Sequence, residues 1–140
     1  MQRLTANPNA EASSGFDVVR PSVYRMRIKE VLYEDSNGKP FVSEKRNTCW
    51  RVRFEYVDKL GLINLQGQAA KNPGTLTDNG LVVDPPEGQG KIRGLVEACG
   101  RPWQDYDPWE LHGWELDVKV GTEPWEGEQR NKIQRYMPIK

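Results

Sequence analysis

The 140-residue chain has a single histidine, His112, and two cysteines, Cys49 and Cys99. Neither cysteine belongs to a CxxC pair or a Cys/His cluster, so the chain carries no structural zinc motif. Cys49 lies in a strand-like run and Cys99 ends a helix-like one, where small buried thiols are common, and both read as structural. There is no P-loop and no GxSxG, and Gly88-Gln-Gly90 is too short for a dinucleotide fingerprint. No apolar run approaches the roughly 20 residues of a membrane span. The N-terminal MQRLTANPNAEASSG lacks the apolar stretch of a signal peptide. Net charge is absent too, because 20 basic and 20 acidic side chains cancel. That balance excludes a histone-like polycation and a uniformly acidic mimic of nucleic acid, but not local patches. These absences predict a soluble, cytoplasmic, non-enzymatic protein with no cofactor, no metal and no membrane partner.

What is present is one domain's worth of chain with five Trp and five Tyr, enough aromatic bulk to nucleate a core. Residues 1–17 are small, polar and aperiodic and read as a flexible arm, leaving residues 18–140 as a single domain. In Val23–Val31, Tyr24, Met26 and Ile28 alternate with Arg25, Arg27 and Lys29, the period of a half-buried strand. Asn37-Gly38 reverses the chain. Cys49–Tyr56 repeats the arrangement, with Trp50, Val52, Phe54 and Tyr56 on one face and Arg51, Arg53 and Glu55 on the other. A third strand is expected over Leu62–Ala69, and the Pro- and Gly-rich breaks of residues 71–90 predict a long loop. Ile92, Leu95, Val96 and Cys99 have helical spacing over Lys91–Cys99, with Gly100 as the stop. Asp107-Pro108 starts a single helical turn. Trp114–Val120 is a fourth strand, Gly121 to Gly127 turns the chain, and Asn131–Met137 closes as a fifth.

The order β-β-β-α-β-β predicts an all-β fold with one helix, a five-stranded OB-fold-like barrel, since closure removes exposed edges. An open α+β sheet with the helix on one face is the competing arrangement.

The zero charge divides unevenly. Residues 18–59 hold ten Lys/Arg and six Asp/Glu, whereas residues 71–140 hold nine and twelve. If the first two strands are neighbours, Arg25, Arg27 and Lys29 lie alongside Arg51 and Arg53, and like charges side by side destabilise a sheet. One reading is a solvated strand face; the sharper one is a groove for phosphates, with Arg46 of the first connection adding to it. Tyr33 and Phe41 fall in that first connection and Trp125 in the loop before the last strand. The two loops flank the binding face of OB-folds, and aromatics there suit base stacking. Trp125 folded back on the barrel end is the alternative. Trp50 and Trp114 read as core, Trp103 and Trp109 as cover for the barrel bottom, and His112 as a turn residue.

Three segments, Gly94-Leu-Val-Glu-Ala-Cys-Gly100, Asp107…Leu111-His-Gly113 and Glu128-Gln-Arg-Asn-Lys-Ile-Gln-Arg-Tyr-Met-Pro138, bring the chain close to a known pattern. Over about residues 15–138 it resembles a family of small bacteriophage OB-fold single-stranded-DNA-binding proteins, often described only as a domain of unknown function. The Arg-Asn-Lys-Ile-Gln-Arg-Tyr segment and the helix–Leu-x-Gly link carry most of the likeness. The resemblance implies sequence-tolerant coating of single strands in phage DNA replication or recombination, within the host cytoplasm. Its partners would be single-stranded DNA, further copies of the chain and phage replication or recombination proteins. The chain lacks the acidic tail of bacterial single-strand-binding proteins, ending Tyr136-Met-Pro-Ile-Lys140, which puts tail-mediated recruitment in doubt. In the last strand Arg130, Lys132, Arg135 and Tyr136 would extend the groove near Trp125. A protein-interaction adaptor or inhibitor on the same barrel is the rival function. A magnesium-dependent accessory enzyme would need Glu44, Asp78 and Asp84, which share no site-like spacing.

Overall fold

The computed structural model describes residues 3–6, 8 and 17–139. In chain order its elements are β1 (Ser22–Leu32), β2 (Phe41–Val42), β3 (Thr48–Tyr56), β4 (Thr75–Asp84), α1 (Gly90–Ala98), β5 (Glu115–Trp125) and β6 (Glu128–Met137). Single helical turns at Pro86–Gly88 and Pro108–Leu111 flank the helix and its exit loop. All six strands belong to one antiparallel sheet, so the fold is mostly β with one helix. Of the arm expected over residues 1–17, residues 1–2, 7 and 9–16 lie outside the described residues.

The alternation of Met26 and Ile28 with Arg25 and Arg27 places the two apolar side chains in the core, as predicted. A β-bulge at Lys29 then shifts the phase, so Val31 turns inward opposite Val52 while Glu30 stays beside Arg53. β1 is central, with β3 on one edge and β5 on the other. β4 pairs with the far edge of β3 and β6 with the far edge of β5. In α1, Ile92, Leu95, Val96 and Ala98 are buried at helical spacing, and Gly100 takes a left-handed φ of 74° just beyond the helix end.

Two expectations are corrected. Residues 62–69 do not form a strand. Asn64 is buried and its Oδ1 accepts hydrogen bonds from the Gln66 and Gln68 amides, both at 3.0 Å, so a side chain takes the ladder's place and folds the segment into a tight loop. The third long strand lies instead at Thr75–Asp84, inside the stretch read as a loop. Pro73-Gly74 merely precedes it, and Asn79-Gly80 occupies a bulge in its pairing with β3, where a strand tolerates such residues.

The sheet remains open between β4 and β6: no backbone ladder joins them among the described residues. Side chains join them instead. Asp78 of β4, with its side chain 6% exposed, accepts hydrogen bonds from the Tyr136 hydroxyl of β6, from Lys91 Nζ of α1 and from the Gly80 amide. The Tyr136 ring packs 5.7 Å from Phe54. Farther along the gap, Val19 is wholly buried and its peptide is clasped by Asn131 of β6, which accepts from Val19 N at 2.9 Å and donates to Val19 O at 2.8 Å. Asp17 accepts the Lys71 amide at 2.6 Å.

Burial, reinforced by the Asp78 charge and hydrogen bond, raises the Tyr136 hydroxyl well above the usual tyrosine range. The unfolded hydroxyl ionises near pH ~10, so the stability this shift contributes is complete below that pH and lost as pH rises towards the folded value. Asp78→Ala is expected to lower the unfolding free energy by about 2–3 kcal/mol, because Lys91 and Tyr136 lose their acceptor. Denaturant unfolding between neutral pH and pH ~11 checks both points. Tyr136→Phe should flatten the alkaline loss, and an unchanged slope would remove Tyr136 as its source.

Candidate nucleic-acid interface

The thirteen residues expected to contact nucleic acid fall into three groups. The first is the outer face of β1 and β3, where the predicted row of unmatched cations does not exist. β5 lies beside β1 and sets Asp117 opposite Arg25 and Glu115 opposite Arg27. Arg25 Nε pairs with Asp117 at 2.8 Å, Arg27 with Glu115 at 3.4 Å and with Glu55 at 3.6 Å, and Arg53 with Glu30. Exposed pairs of this kind contribute about 0–1 kcal/mol each, but they match the charge a phosphate would have matched. Lys29 and Arg51 have no carboxylate partner among the described residues. Lys29 is exposed at its bulge.

The second group surrounds the connection from β1 to β3. Arg46 is exposed in a turn, with a left-handed φ of 62°, and its amide donates to Ser43 O. The Arg51 guanidinium sits over the Phe41 ring, 3.9 Å from Cζ to ring centroid. Tyr33 meets Trp109 edge-on at 6.3 Å, and both rings are substantially exposed. Trp109 therefore covers less of the fold's end than expected. His112 does more than turn the chain, since its Nε2 accepts the Val31 amide at 3.2 Å and secures β1 just past its bulge.

The third group is the β5–β6 hairpin, and here a groove exists. The strands are longer than predicted: β5 runs through Trp125 and β6 starts at Glu128, leaving a two-residue turn. Glu126 and Gly127 take φ values of 49° and 81°, the left-handed pair that matches the twist of a two-residue hairpin. By register Glu123, Trp125, Arg130 and Lys132 share one face of the hairpin. Trp125 is 49% exposed, and the Arg130 guanidinium lies 3.8 Å from its ring centroid. Glu123 holds Arg130 Nε at 2.6 Å. These side chains wall a cavity of about 970 Å³, with Thr75, Thr77 and Asn79 of β4 on the opposite side and Lys91 and Asp78 within it.

Three of the thirteen thus line the groove: Trp125, Arg130 and Lys132. Arg135 stands directly opposite Lys119, away from it, and Tyr136 is turned to the core as the partner of Asp78 and Phe54, so it offers no free ring for stacking. The β4 wall escaped sequence reasoning because its strand was read as a loop. Charge in the groove is slightly negative: Lys91, Arg130 and Lys132 line it with Asp17, Asp78, Glu123 and Glu128. Lys91 is engaged by Asp78 and Arg130 by Glu123, while Lys132 has no carboxylate partner among the described residues.

Among the described residues no three His, Cys, Asp or Glu side chains gather as a metal site, so Glu44, Asp78 and Asp84 do not come together. Burial pushes the Cys99 thiol up to about 12, against a smaller opposing effect of Arg101, and Cys49 is buried. Both thiols are poor nucleophiles in these settings. Among the described residues no helix is long and apolar enough to cross a membrane. No protein-family model matches the chain, and no curated protein matches it in sequence.

The strained turn residue gives a direct test of the hairpin. Glu126→Asn, which places Asn-Gly at the two left-handed positions, is expected to stabilise the fold by about 0.5–1 kcal/mol in urea titrations. A destabilised variant would contradict the turn geometry.

Proposed function

We propose that this chain is a single-stranded-DNA-binding protein on an OB-like fold. The order β1, β3, β4, α1, β5, β6, with β1 shared between β3 and β5, supports that fold, the Asp78 latch standing where a barrel would close by backbone pairing. The observation that carries the function is Trp125. It is a large indole at a hairpin tip, half exposed, backed on one side by Arg130, and set on the lip of a groove of about 970 Å³. An exposed indole in that position stacks on bases of any sequence. Lys132 contributes a phosphate contact. Arg25, Arg27 and Arg53 are left out of the interface because their charges are already matched. Action on exposed strands in phage replication or recombination, in the host cytoplasm, rests on the resemblance of the Arg130–Tyr136 segment to the phage family. A second reading, a protein-interaction adaptor, draws on the exposed Tyr33–Trp109 pair.

Oligo-dT titrations separate the two. Trp125→Ala is expected to weaken binding by about 1–3 kcal/mol, the usual worth of one stacked base, and to remove most of the fluorescence quenching seen with the wild type. Affinity should fall only gently with salt, with a log–log slope of about −0.7 to −1.4, as for one or two phosphates. An absence of oligo-dT binding at low salt would sink the single-strand reading and favour the adaptor.

A further inference from the structure

Arg51 is unlike the other arginines of the strand face. Arg25, Arg27 and Arg53 each meet a carboxylate, whereas the Arg51 side chain makes no hydrogen bond or ion pair with any described residue. It is half buried all the same, and its Nε is sealed from solvent without a partner. The guanidinium sits over the Phe41 ring, its Cζ 3.9 Å from the centroid, and its terminal nitrogens remain unmatched donors. A buried donor left without a partner is costly, and native structures rarely keep one without a reason.

The register shows what could lie against it. Trp50 pairs with Leu81 and Val52 with Asp78, so Arg51 faces the two bulged residues Asn79 and Gly80. Gly80 has no side chain to fill the space, and only the Asp78 carboxylate comes within 4 Å of where its Cβ would be. Asn79 is exposed and also lines the hairpin groove. On the other edge Arg51 faces Leu32, which carries no charge. The β4 wall of the groove therefore leads over the bulge to this cation.

We infer that Arg51, seated over Phe41 and reached across the Asn79–Gly80 bulge, is a second phosphate subsite for the strand that enters at Trp125. It binds a phosphodiester of a long single strand, with Asn79 between the two subsites. The inference rests on the single-strand reading and adds the direction in which the strand leaves the groove.

Strand length tests it. Arg51→Gln, Arg51→Lys and Arg25→Gln are compared with the wild type by anisotropy against oligo-dT of about 4 and about 15 nucleotides, the span of site sizes for such folds, across a salt series. Thermal melts confirm that each variant is folded. Arg51→Gln is expected to leave the short oligonucleotide unaffected, to weaken the long one several-fold and to reduce its salt slope by about 0.7, one phosphate on a single strand. Arg51→Lys keeps the slope but loses part of the affinity, because an ammonium lacks the planar fork. Arg25→Gln, whose charge is matched by Asp117, leaves the long-strand slope at the wild-type value. Wild-type affinity and slope for Arg51→Gln on the long strand overturn the subsite while the single-strand reading stands. If Arg51→Gln does not fold, Arg51→Lys decides, and full wild-type affinity in that variant overturns the subsite. A wild type that binds neither length overturns the single-strand reading and this inference with it.

Discussion

The groove depends on one buried carboxylate. β4 and β6 border the gap in the sheet, and no backbone ladder brings them together among the described residues. Asp78 does so, by accepting hydrogen bonds from Tyr136 on one of these strands and Lys91 on the helix that follows the other. A buried carboxylate is stable only when its lone pairs are filled, and here three donors from β4, β6 and α1 fill them. The consequence is geometric. Once Tyr136 is held against Phe54 and Asp78, the hairpin that ends β5 and begins β6 projects beside the first residues of β4, and the space between them is the groove. Asn131 serves the same gap farther along by taking the place of a strand partner for Val19. Two side chains thus hold apart, at a fixed width, edges that a backbone ladder would have zipped shut.

Charge follows the same logic of local matching. The chain's zero balance separates into a basic first part and an acidic second part along the sequence, and the antiparallel sheet then recombines them. β5, from the acidic part, lies against β1, from the basic part, so Asp117 and Glu115 fall opposite Arg25 and Arg27. A strand face that is a row of cations in one dimension becomes a mixed-sign lattice in two. On that face only Lys29, at its bulge, and Arg51, against Phe41, stay without a carboxylate among the described residues, as does Lys132 in the groove.

The extent to which this was legible in the sequence follows from the range of the interactions. β1, β3, α1 and the core of β5 announce themselves, because period-two and helical spacing are local signals and Met26, Ile28, Phe54, Leu95 and Val118 all lie in the core. β4 was hidden because Pro73-Gly74 and Asn79-Gly80 carry turn chemistry that tertiary pairing with β3 absorbs as an entry and a bulge. Residues 62–69 misled for the converse reason: their alternation is real, but the Asn64 side chain supplies a closer partner than any strand. At the site, Trp125, Arg130 and Lys132 were recognisable by composition around a Pro- and Gly-rich turn. The pairing that neutralises Arg25, Arg27 and Arg53 was not, since it requires knowing which strand is whose neighbour. Asp78, singled out as a possible magnesium ligand, is the latch, and two of its partners, Lys91 and Tyr136, lie 13 and 58 residues away in sequence.

On the single-strand reading, the near-neutral groove bears on selectivity. A strongly basic groove binds any phosphate backbone, and duplex DNA has the denser charge, so electrostatics alone favours the wrong substrate. Stacking works in the opposite sense. Base faces are hidden in a duplex and available in a single strand, so an indole at the groove's lip gains its full contact only with the latter. Pairing Lys91 with Asp78 and Arg130 with Glu123 removes the indiscriminate part of the attraction while keeping Arg130 in place beneath the Trp125 ring. The carboxylates that weaken phosphate binding thereby raise the share of the affinity that depends on unpaired bases. A groove of this kind discriminates by what a duplex cannot offer rather than by what both forms carry.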